Sequence, residues 1–224
     1  MNKSVHKILS WIITVITPFF LVLLGVRLAL IPSYPSFAYR LPAFPADSYG
    51  FSTEERIKWS GYAIKYLLND SDIDYLSRLQ FDDQTPLFNE RELGHMRDVK
   101  ILVQQVMRIF YLLVVVLIGV GLWAYFGKWM GDFRAGISRG GWLTVGLIVG
   151  IGLFASISFW QFFSYFHSLF FTGDSWLFNF SDTLIRLFPL RFWQDVVIFI
   201  FGIALIAGAA LGWFLRPKPV RDNP

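Results

Sequence analysis

The feature that most restricts the fold is a polar segment that runs without interruption into a long apolar one. The polar part is residues 86–100, PLFNERELGHMRDVK, and the apolar part ends near Phe126. Because no glycine or proline interrupts residues 96–118, we predict one helix from Glu90 to Phe126. At about 1.5 Å per residue this helix would be roughly 54 Å long, whereas the hydrocarbon core of a bilayer is about 30 Å thick. About four helical turns should therefore stand outside the hydrocarbon.

Four segments are long and apolar enough to cross a membrane, namely residues 8–31, 101–126, 142–163 and 192–215. The chain is 55% hydrophobic and 19% aromatic, with a mean hydropathy of +0.51, and these values are high for a soluble domain. The first segment is longer than the apolar region of a signal peptide and lacks a clear cleavage site, so we predict an uncleaved anchor. We therefore expect an all-α polytopic membrane protein with four transmembrane helices and a small extracytoplasmic cap.

The distribution of charged residues predicts the orientation of these spans. Basic residues flank the ends that we place in the cytoplasm: Lys3, Lys7, Lys128, Arg134, Arg139, Arg216, Lys218 and Arg221. Residues 32–100 carry instead eight basic and eleven acidic side chains. By the positive-inside rule, both termini lie in the cytoplasm, and residues 32–100 and about 164–191 lie outside.

These predictions divide the chain into eight segments. They are a cytoplasmic tail with the first transmembrane helix (residues 1–31), an extracytoplasmic cap (32–89), the long helix (90–126), a cytoplasmic loop (127–141), a third transmembrane helix (142–171), an extracytoplasmic loop with a short amphipathic helix (172–191), a fourth transmembrane helix (192–215) and a cytoplasmic tail (216–224). A cell membrane is the expected location, with both termini on its cytoplasmic side.

Local patterns predict the structure of the cap. Residues 32–50 are rich in proline and aromatic side chains, which favours an extended segment. Ser52 and Glu55 have the spacing of a capping box and predict a helix over residues 53–68. A second short helix is predicted over residues 73–79, and Asn89 is a candidate cap for the long helix.

Glycine spacing gives weaker predictions. Residues 127–141 contain five glycines without a phosphate-binding pattern, so we interpret them as a plain connector. Gly146 and Gly150 form one pair of small residues four apart, and Gly208 and Gly212 form another. Such pairs indicate close packing of membrane helices.

Two of the three histidines are candidates for catalysis. His95 and His167 fall at the same predicted depth on different helices, whereas His6 lies in the basic tail and is expected to be an exposed surface residue. Imidazole is the side chain best suited to proton transfer near neutral pH. His167 lies near a helix C-terminus, where the helix dipole favours the protonated ring.

Charged residues near the predicted outer boundary are candidates for substrate binding: Arg27, Glu90, Arg91, Asp98, Asp174, Asp182 and Arg186. Arg27 can either extend to the interface or face the bundle and pair with a carboxylate or a lipid phosphate. Asp182 and Arg186 are four residues apart and share a helix face.

Several kinds of chemistry are excluded or disfavoured. The chain has no cysteine, which rules out disulfides, a cysteine nucleophile and a thiolate metal site. No H-E-x-x-H pattern occurs. Two histidines and a carboxylate could in principle bind a metal, but no ligand spacing supports this, so we expect neither a metal nor another cofactor.

Four blocks of this sequence resemble the lipoprotein intramolecular transacylase (Lit) family. They are PAFPADSYGFSTEER, PLFNERELGHMRDVK, FFSYFHSLFF and SDTLIRLFPLRFWQD, and they follow one another in this order. The resemblance implies transfer of the sn-2 acyl chain from the S-diacylglyceryl group of a bacterial lipoprotein to the α-amino group of its N-terminal cysteine. It also implies that the catalytic histidines are those in the NEREL-x-H and F-x-x-FH blocks, here His95 and His167.

The residues agree with this implied reaction, because an intramolecular N-acylation brings its own nucleophile and needs no serine or cysteine. We assign His167 as the base and His95 as the group that stabilises the oxyanion or protonates the departing glycerol oxygen, although the reverse division is open. The expected partners are a diacylated lipoprotein and membrane lipid, not nucleic acid, and we expect a monomer.

Two rival functions stay open at this point. One is another interfacial enzyme, either a lipid acyl hydrolase or an intermolecular acyltransferase. The other is a non-enzymatic membrane subunit or transporter, in which neither histidine would matter to acyl chemistry.

Overall fold

The computed structural model describes residues 3–217, which fold into helices joined by short loops. The helices are α1 (Lys3–Ala29), α2 (Tyr34–Ala38), α3 (Thr53–Leu68), α4 (Asp74–Ser77), α5 (Glu90–Phe126), α6 (Met130–Ile157), α7 (Phe159–Phe170), α8 (Thr183–Leu187) and α9 (Leu190–Phe214). Within the described residues no β-strand occurs, and α1, α5, α6 and α9 are long and apolar enough to cross a membrane. The predicted all-α class with four spans is therefore confirmed. The basic residues Lys218 and Arg221 lie outside the described range.

Capping boxes form the starts of α3 and α5, as the sequence predicts. The Ser52 hydroxyl accepts the Glu55 backbone N–H at 3.2 Å, and the Glu55 carboxylate accepts the Ser52 N–H at 2.8 Å. Asn89 and Glu92 exchange the equivalent bonds at 3.0 and 2.8 Å. These bonds satisfy backbone donors that a helix start leaves without partners, so α5 begins at Glu90, the predicted residue.

The segment of residues 32–50 is not wholly extended, which corrects the prediction. Tyr34–Ala38 forms α2, with a proline at its start. Proline is compatible with the first turn of a helix, because the N–H groups there have no acceptor within the helix. The short helix predicted over residues 73–79 is confirmed as α4, although it is limited to Asp74–Ser77.

The loop predicted over residues 127–141 is wrong, because α6 already begins at Met130. Only residues 127–129 connect α5 and α6. The glycines beyond them serve helix packing: a Cβ on Gly136 would lie 3.1 Å from the Ser10 hydroxyl, and a Cβ on Gly140 would lie 2.7 Å from the Thr17 hydroxyl. Small residues thus let α1 and α6 approach closely.

The third transmembrane helix predicted over residues 142–171 is in fact two helices. α6 ends at Ile157 and α7 begins at Phe159, with Ser158 between them in an extended conformation (φ −152°, ψ 98°). The Ser158 hydroxyl accepts the Gln161 N–H at 3.3 Å and so caps α7. His167 therefore lies on a separate helix of 12 residues.

The chain divides into two compact units, each with its own interior. The first, which we call the hydroxyl unit, comprises Met1–Val26, Arg108–Ser156 and Phe199–Pro224. Among its described residues, the buried polar side chains are all hydroxyls: Ser10, Thr14, Thr17, Ser138 and Thr144. They donate to backbone carbonyls, as Ser138 does to Gly212 at 2.8 Å. Such bonds satisfy polar groups without burying charge.

One of the two predicted glycine pairs packs in this unit and the other does not. A Cβ on Gly208 would lie 2.9 Å from the Gly141 carbonyl oxygen, and a Cβ on Gly212 would lie 2.9 Å from the Trp142 ring. A Cβ on Gly146 or on the glycine four residues later would meet nothing within 4 Å. The prediction is therefore confirmed for the pair in α9 and wrong for the pair in α6.

His6 also differs from its prediction as an exposed residue. It is half-buried, and its ring stacks on Trp129 with 5.0 Å between centroids and 7° between planes. The short connection between α5 and α6 brings Trp129 into the interior of the hydroxyl unit, where it packs with Ile13 and Phe133. If residues 127–141 formed the predicted loop of 15 residues, Trp129 would lie in solvent and could not stack on His6 in the interior.

The second unit, which we call the ionic unit, comprises Arg27–Met107 and Ile157–Ile198. Its core joins α3, α4, the start of α5 and α8, and consists of Phe51, Trp59, Ala63, Tyr66, Leu67, Ile73, Leu76, Leu87, Phe88, Leu93, Met96, Leu184 and Leu187. It also buries charged side chains: Arg56, Glu92, Lys100 and Asp195. Each of the four has defined partners, and Asp195 accepts from Arg191 Nε at 3.0 Å. The Lys100 ammonium, for example, donates to Asn69 Oδ1 at 3.2 Å and to the Ser71 carbonyl at 2.5 Å.

Candidate active site

The two candidate catalytic histidines lie side by side in the ionic unit. His95 is on the second turn of α5, before the apolar span of residues 101–126, and His167 is near the end of α7. Their ring centroids are 6.4 Å apart with 23° between planes. The structure therefore brings together two residues that are 72 positions apart in the sequence.

Glu92 fixes the helical turn that precedes His95. Its side chain is almost fully buried, at 1% exposure. One carboxylate oxygen accepts the Asn89 N–H at 2.8 Å, and the other accepts the Leu184 N–H at 2.6 Å at the start of α8. Burial raises the pKa of the Glu92 carboxyl, although these backbone hydrogen bonds oppose the shift. In the sequence Glu92 is only one of the charged residues of the polar segment 86–100, and nothing there reveals its hydrogen bond to α8.

The hydrogen bonding of His167 determines which ring nitrogen can act as a base. Its Nδ1 lies 2.8 Å from the Phe163 carbonyl oxygen. Because a carbonyl only accepts, Nδ1 must carry the proton, and the lone pair is on Nε2. The ring is 8% exposed, and this burial lowers the pKa of His167 below the ordinary 6.5. The helix end favours the protonated ring, but burial acts in the opposite direction and outweighs the bond to the carbonyl.

His95 is also neutral near pH 7. Burial, and secondarily the charge that His167 could carry, lower the pKa of His95 to about 4. Its Nδ1 is buried and has no hydrogen-bond partner among residues 3–217. A proton on Nδ1 would leave a buried N–H without an acceptor, so the tautomer with the proton on Nε2 is favoured. The ring can then donate from Nε2.

Aromatic side chains surround both rings. Phe163 lies 4.0 Å and Trp176 4.7 Å from the His167 ring, measured between centroids. Phe171 contacts both histidines, at 5.0 Å from His95 and 5.6 Å from His167. This surrounding accounts for the burial that keeps both rings neutral. Trp176 was not indicated by the sequence, because a tryptophan in a loop has no diagnostic spacing.

Arg91 is the predicted binding residue whose contacts lead directly to this site. Its guanidinium donates to the Asp174 carbonyl at 2.6 Å and lies 3.4 Å from the Asp174 carboxylate. It also lies 5.9 Å from the Phe178 ring, which in turn contacts His95 at 5.4 Å. The pair therefore connects α5 with the loop that follows α7.

Arg186 has a partner that the sequence did not suggest. It donates to the Asp47 carboxylate at 2.9 and 3.1 Å and lies 3.6 Å over the Phe51 ring. Burial would raise the pKa of Asp47, but the hydrogen bonds from Arg186 and from the Phe51 N–H outweigh it and lower the pKa. Asp182, four residues before Arg186, accepts instead from Asn89 at 3.3 Å.

The remaining predicted residues have less specific positions. Glu90 and Asp98 are exposed on α5, and Arg27 is half-buried in the last turn of α1. Across residues 3–217 there is no group of three or more histidine, aspartate or glutamate side chains that could hold a metal ion.

One further pattern, G-x-S-x-G at residues 136–140, suggests a serine nucleophile but is packed for another purpose. Ser138 is 4% exposed and donates to the Gly212 carbonyl. Gly136 and Gly140 both face α1 at distances that leave no room for a Cβ. The serine therefore supports helix packing and is not placed as a nucleophile.

Comparisons with known proteins show which family this chain matches. The family model for lipoprotein intramolecular transacylase Lit matches residues 11–193. An uncharacterised protein of Aquifex aeolicus (strain VF5) is 29% identical over 223 residues, covering 95% of this chain and 99% of that protein. Both histidines lie within the matched family region.

Solved structures show the same fold. The membrane-integral lipoprotein intramolecular transacylase Lit from Bacillus cereus superposes with a TM-score of 0.77 at 19% identity, covering 96% of this chain and 95% of that one. A variant of it with one histidine replaced by alanine gives a TM-score of 0.71 at 17% identity, covering 95% and 92%. Since the family model matches most of the chain, this protein belongs to the lipoprotein intramolecular transacylase Lit family and is a multi-pass membrane acyltransferase.

Proposed function

We propose that this protein moves the sn-2 acyl chain of an S-diacylglyceryl lipoprotein to the α-amino group of the same N-terminal cysteine, giving lyso-form lipoprotein. The observation that carries the proposal is the pair of neutral imidazoles 6.4 Å apart, of which His167 is buried and His95 is half-buried. His167 has its lone pair on Nε2, and no hydrogen bond within residues 3–217 joins either ring to a serine or threonine hydroxyl. Such a site can move protons, and the substrate supplies the nucleophile.

His167 acts as the base. An α-amino group has a pKa of about 7.7–8.0, so a substantial share is neutral near pH 7.5. Its nitrogen attacks the ester carbonyl carbon, the C–N bond forms, and the carbonyl π electrons move to the oxygen. His167 Nε2 takes the proton that the nitrogen loses. When the C–O bond to glycerol breaks, the departing oxygen keeps the electron pair and receives this proton.

His95 donates a hydrogen bond to the ester oxygen as negative charge develops on it. A neutral imidazole that gave up its Nε2 proton would become an imidazolate, which is unfavourable, so its lowered pKa favours donation over full proton transfer. Of the two roles that the sequence left open for His95, oxyanion stabilisation is therefore the one we propose. The reaction needs no metal in this scheme, and activity should survive exhaustive chelation.

The proposed location is the bacterial cytoplasmic membrane, with both termini in the cytoplasm and the site at the outer leaflet. The bias of lysine and arginine residues supports this orientation. A cysteine introduced at Ser71 should react with an impermeant reagent in intact cells, and one at Asn223, which lies outside the described residues, should not. Reaction at Asn223 would contradict the orientation without touching the proposed chemistry.

The test of the reaction uses two synthetic diacylated lipopeptides, one with an isotopically heavy sn-2 chain and a different peptide. Incubation of the mixture with purified protein should give N-acylated, S-monoacylglyceryl products of unchanged mass and without exchange of the heavy chain. Exchange between the peptides would indicate an intermolecular acyltransferase, and free fatty acid would indicate a hydrolase. No reaction at all would favour a non-enzymatic subunit.

A further inference from the structure

Trp176 carries an unsatisfied polar group at the edge of the histidine pair. It lies in the loop between α7 and α8, with its ring 4.7 Å from that of His167 and 32° between the planes. Its indole Nε1 is buried and has no hydrogen-bond partner among residues 3–217. Indole N–H is a donor only, so it can be satisfied by an acceptor and by nothing else. A buried donor without an acceptor is uncommon in proteins and calls for an explanation.

The loop holds this indole in a fixed place. The ring packs against Trp160 at 6.2 Å and Phe163 at 6.1 Å, both on α7. Two residues before it, Asp174 receives the hydrogen bond from Arg91 of α5, and its carbonyl also accepts the Leu177 N–H at 2.9 Å. The indole is thus anchored on both sides, which is the condition for a preorganised donor.

We propose that the Trp176 Nε1–H donates a hydrogen bond to the ester carbonyl oxygen of the substrate as that oxygen becomes an oxyanion. This inference rests on the proposed function. The amine that His167 deprotonates must lie near His167 Nε2, so the carbonyl it attacks lies within reach of the groups that line the same ring. Trp176 and His95 are the two neutral donors there, one at 4.7 Å and the other at 6.4 Å from His167 between ring centroids.

Trp176 takes part in one step of the reaction only, the formation of the oxyanion. As the C–N bond forms, the carbonyl π electrons become a lone pair on oxygen, and the indole N–H and His95 Nε2–H bind that oxygen. When the C–O bond to glycerol breaks, the carbonyl reforms and the hydrogen bonds weaken. The indole gives up no proton at any stage, so its contribution falls on kcat and not on KM.

A purely structural role is the alternative, in which the indole N–H points at the face of Phe163, whose ring is inclined at 70° to it. The two roles predict different melting temperatures for a benzothienylalanine at position 176, which keeps the fused ring system and replaces only the N–H by sulfur, so that no cavity forms. If the N–H serves the oxyanion, melting of the substrate-free protein should not fall, because a buried unsatisfied donor is lost. If the N–H serves Phe163, melting should fall.

The experiment compares Trp176→Phe with Trp213→Phe, a tryptophan of the hydroxyl unit that is 55% exposed. Trp176→Phe should lower kcat by about 10²–10³-fold, the usual effect of removing one oxyanion donor, and KM should change less than about threefold, since interactions made only in the transition state leave it unaffected. Trp213→Phe should leave both constants near wild type. A benzothienylalanine at position 176, which replaces N–H by sulfur in the same shape, should behave like the phenylalanine variant.

A binding measurement makes the result independent of turnover. In a lipopeptide whose sn-2 ester is replaced by a tetrahedral phosphonate, anionic oxygens stand where the oxyanion forms. Trp176→Phe should bind it about 10²-fold more weakly than wild type does, while affinity for the ester lipopeptide stays the same. Two results would overturn the role of Trp176 alone. One is a Trp176→Phe variant as active as an active wild type, and the other is equal phosphonate binding by the variant and the wild type. Absence of N-acylated product from the wild type overturns the proposed function itself.

Discussion

The hydroxyl unit and the ionic unit bury different kinds of polar group. In the hydroxyl unit the buried polar side chains of the described residues are serines and threonines, and glycines bring the helix backbones together. In the ionic unit the buried side chains include Arg56, Glu92, Lys100, Asp195 and His167. Arg56, at 4% exposure, donates to the Pro45 carbonyl at 2.9 Å, and its guanidinium lies 4.8 Å from the Tyr39 ring and 5.0 Å from the Phe44 ring.

The difference follows from how each kind of group is satisfied. A hydroxyl can bond to a carbonyl of its own or a neighbouring helix at little cost, so it allows close packing without charge. A buried ion needs well-placed partners. Those of Arg56, Glu92 and Lys100 come mainly from loops and helix starts. A site with perturbed pKa values therefore forms in the ionic unit, where α7, α8 and the loops surround the start of α5.

The largest effect should come from the histidines of the ionic unit. His95→Ala and His167→Ala should each lower kcat by about 10²–10⁴-fold, because positioned proton transfer and charge stabilisation are lost. The double variant should lose less than the product of the two, since the residues act together. The measurement is product formation by mass spectrometry, with melting to show that the fold is retained.

His6→Ala is the matched control from the hydroxyl unit. It removes a ring that stacks on Trp129, so melting can fall, but acyl transfer per folded molecule should stay at the wild-type level. Retention of most activity by His167→Gln would contradict the base role, because an amide cannot take up the proton.

Arg186→Ala should be the most damaging change to a charged residue. The side chains of Arg186 and Asp47 are 12% and 4% exposed, and breaking a buried pair typically costs about 3–5 kcal/mol because one charge is left without its partner. Thermal unfolding of purified protein would measure this loss. The double variant Arg186→Ala with Asp47→Ala should recover part of it, and failure to recover would show that the cost lies in packing against Phe51 instead.

Gly141→Ala tests the packing of the hydroxyl unit. A Cβ there would overlap the Gly208 carbonyl oxygen and lie 2.7 Å from the Gly212 nitrogen. Backbone atoms cannot move aside as a side chain can, so we expect destabilisation of about 1–3 kcal/mol. Gly146→Ala, with nothing within 4 Å of its Cβ, is the matched control and should be neutral or stabilising by up to about 1 kcal/mol. Equal melting of the two variants would contradict this account.

These glycines also show where sequence reasoning succeeded and where it failed. The start of α5 was predictable because the capping spacing of Asn89 and Glu92 is local. The loop at residues 127–141 was mispredicted because glycine weakens a helix in water but promotes packing in a membrane. Spacing alone could not tell Gly146 from Gly208, because it does not show which helix face has a neighbour.

The same limit applies to the site. The histidine pair was predictable from depth and from block resemblance, since each residue is marked by its own segment. The partner of Arg186 is 139 residues away, and the second bond of Glu92 reaches across 92 residues. Trp176 lies near His167 only because α7 ends and the loop turns back. No local pattern encodes such contacts, which depend on the whole of the ionic unit.

The pH dependence of kcat/KM tests whether burial or the helix dipole has the larger effect on the pKa of His167. Both the base and the attacking amine must be deprotonated, so activity rises with pH. The amine contributes a slope of one below about pH 7.7. Because burial lowers the pKa of His167 below 6.5, a second unit of slope should appear only below that pH. A slope of two already between pH 6.5 and 7.5 would show that His167 is not held neutral.

Arg91→Ala should have the smallest effect and is the sharpest test of what burial contributes to an ion pair. The side chains of Arg91 and Asp174 are 50% and 82% exposed, so water screens their attraction and the pair should contribute less than about 1 kcal/mol to stability. Raising the salt concentration should reduce even this. The bond from Arg91 to the Asp174 carbonyl places the loop that carries Trp176, so kcat should fall more than melting does. If Arg91→Ala instead destabilises the protein as much as Arg186→Ala, exposure does not distinguish the two pairs, and the contrast between buried and exposed charge within the ionic unit is wrong.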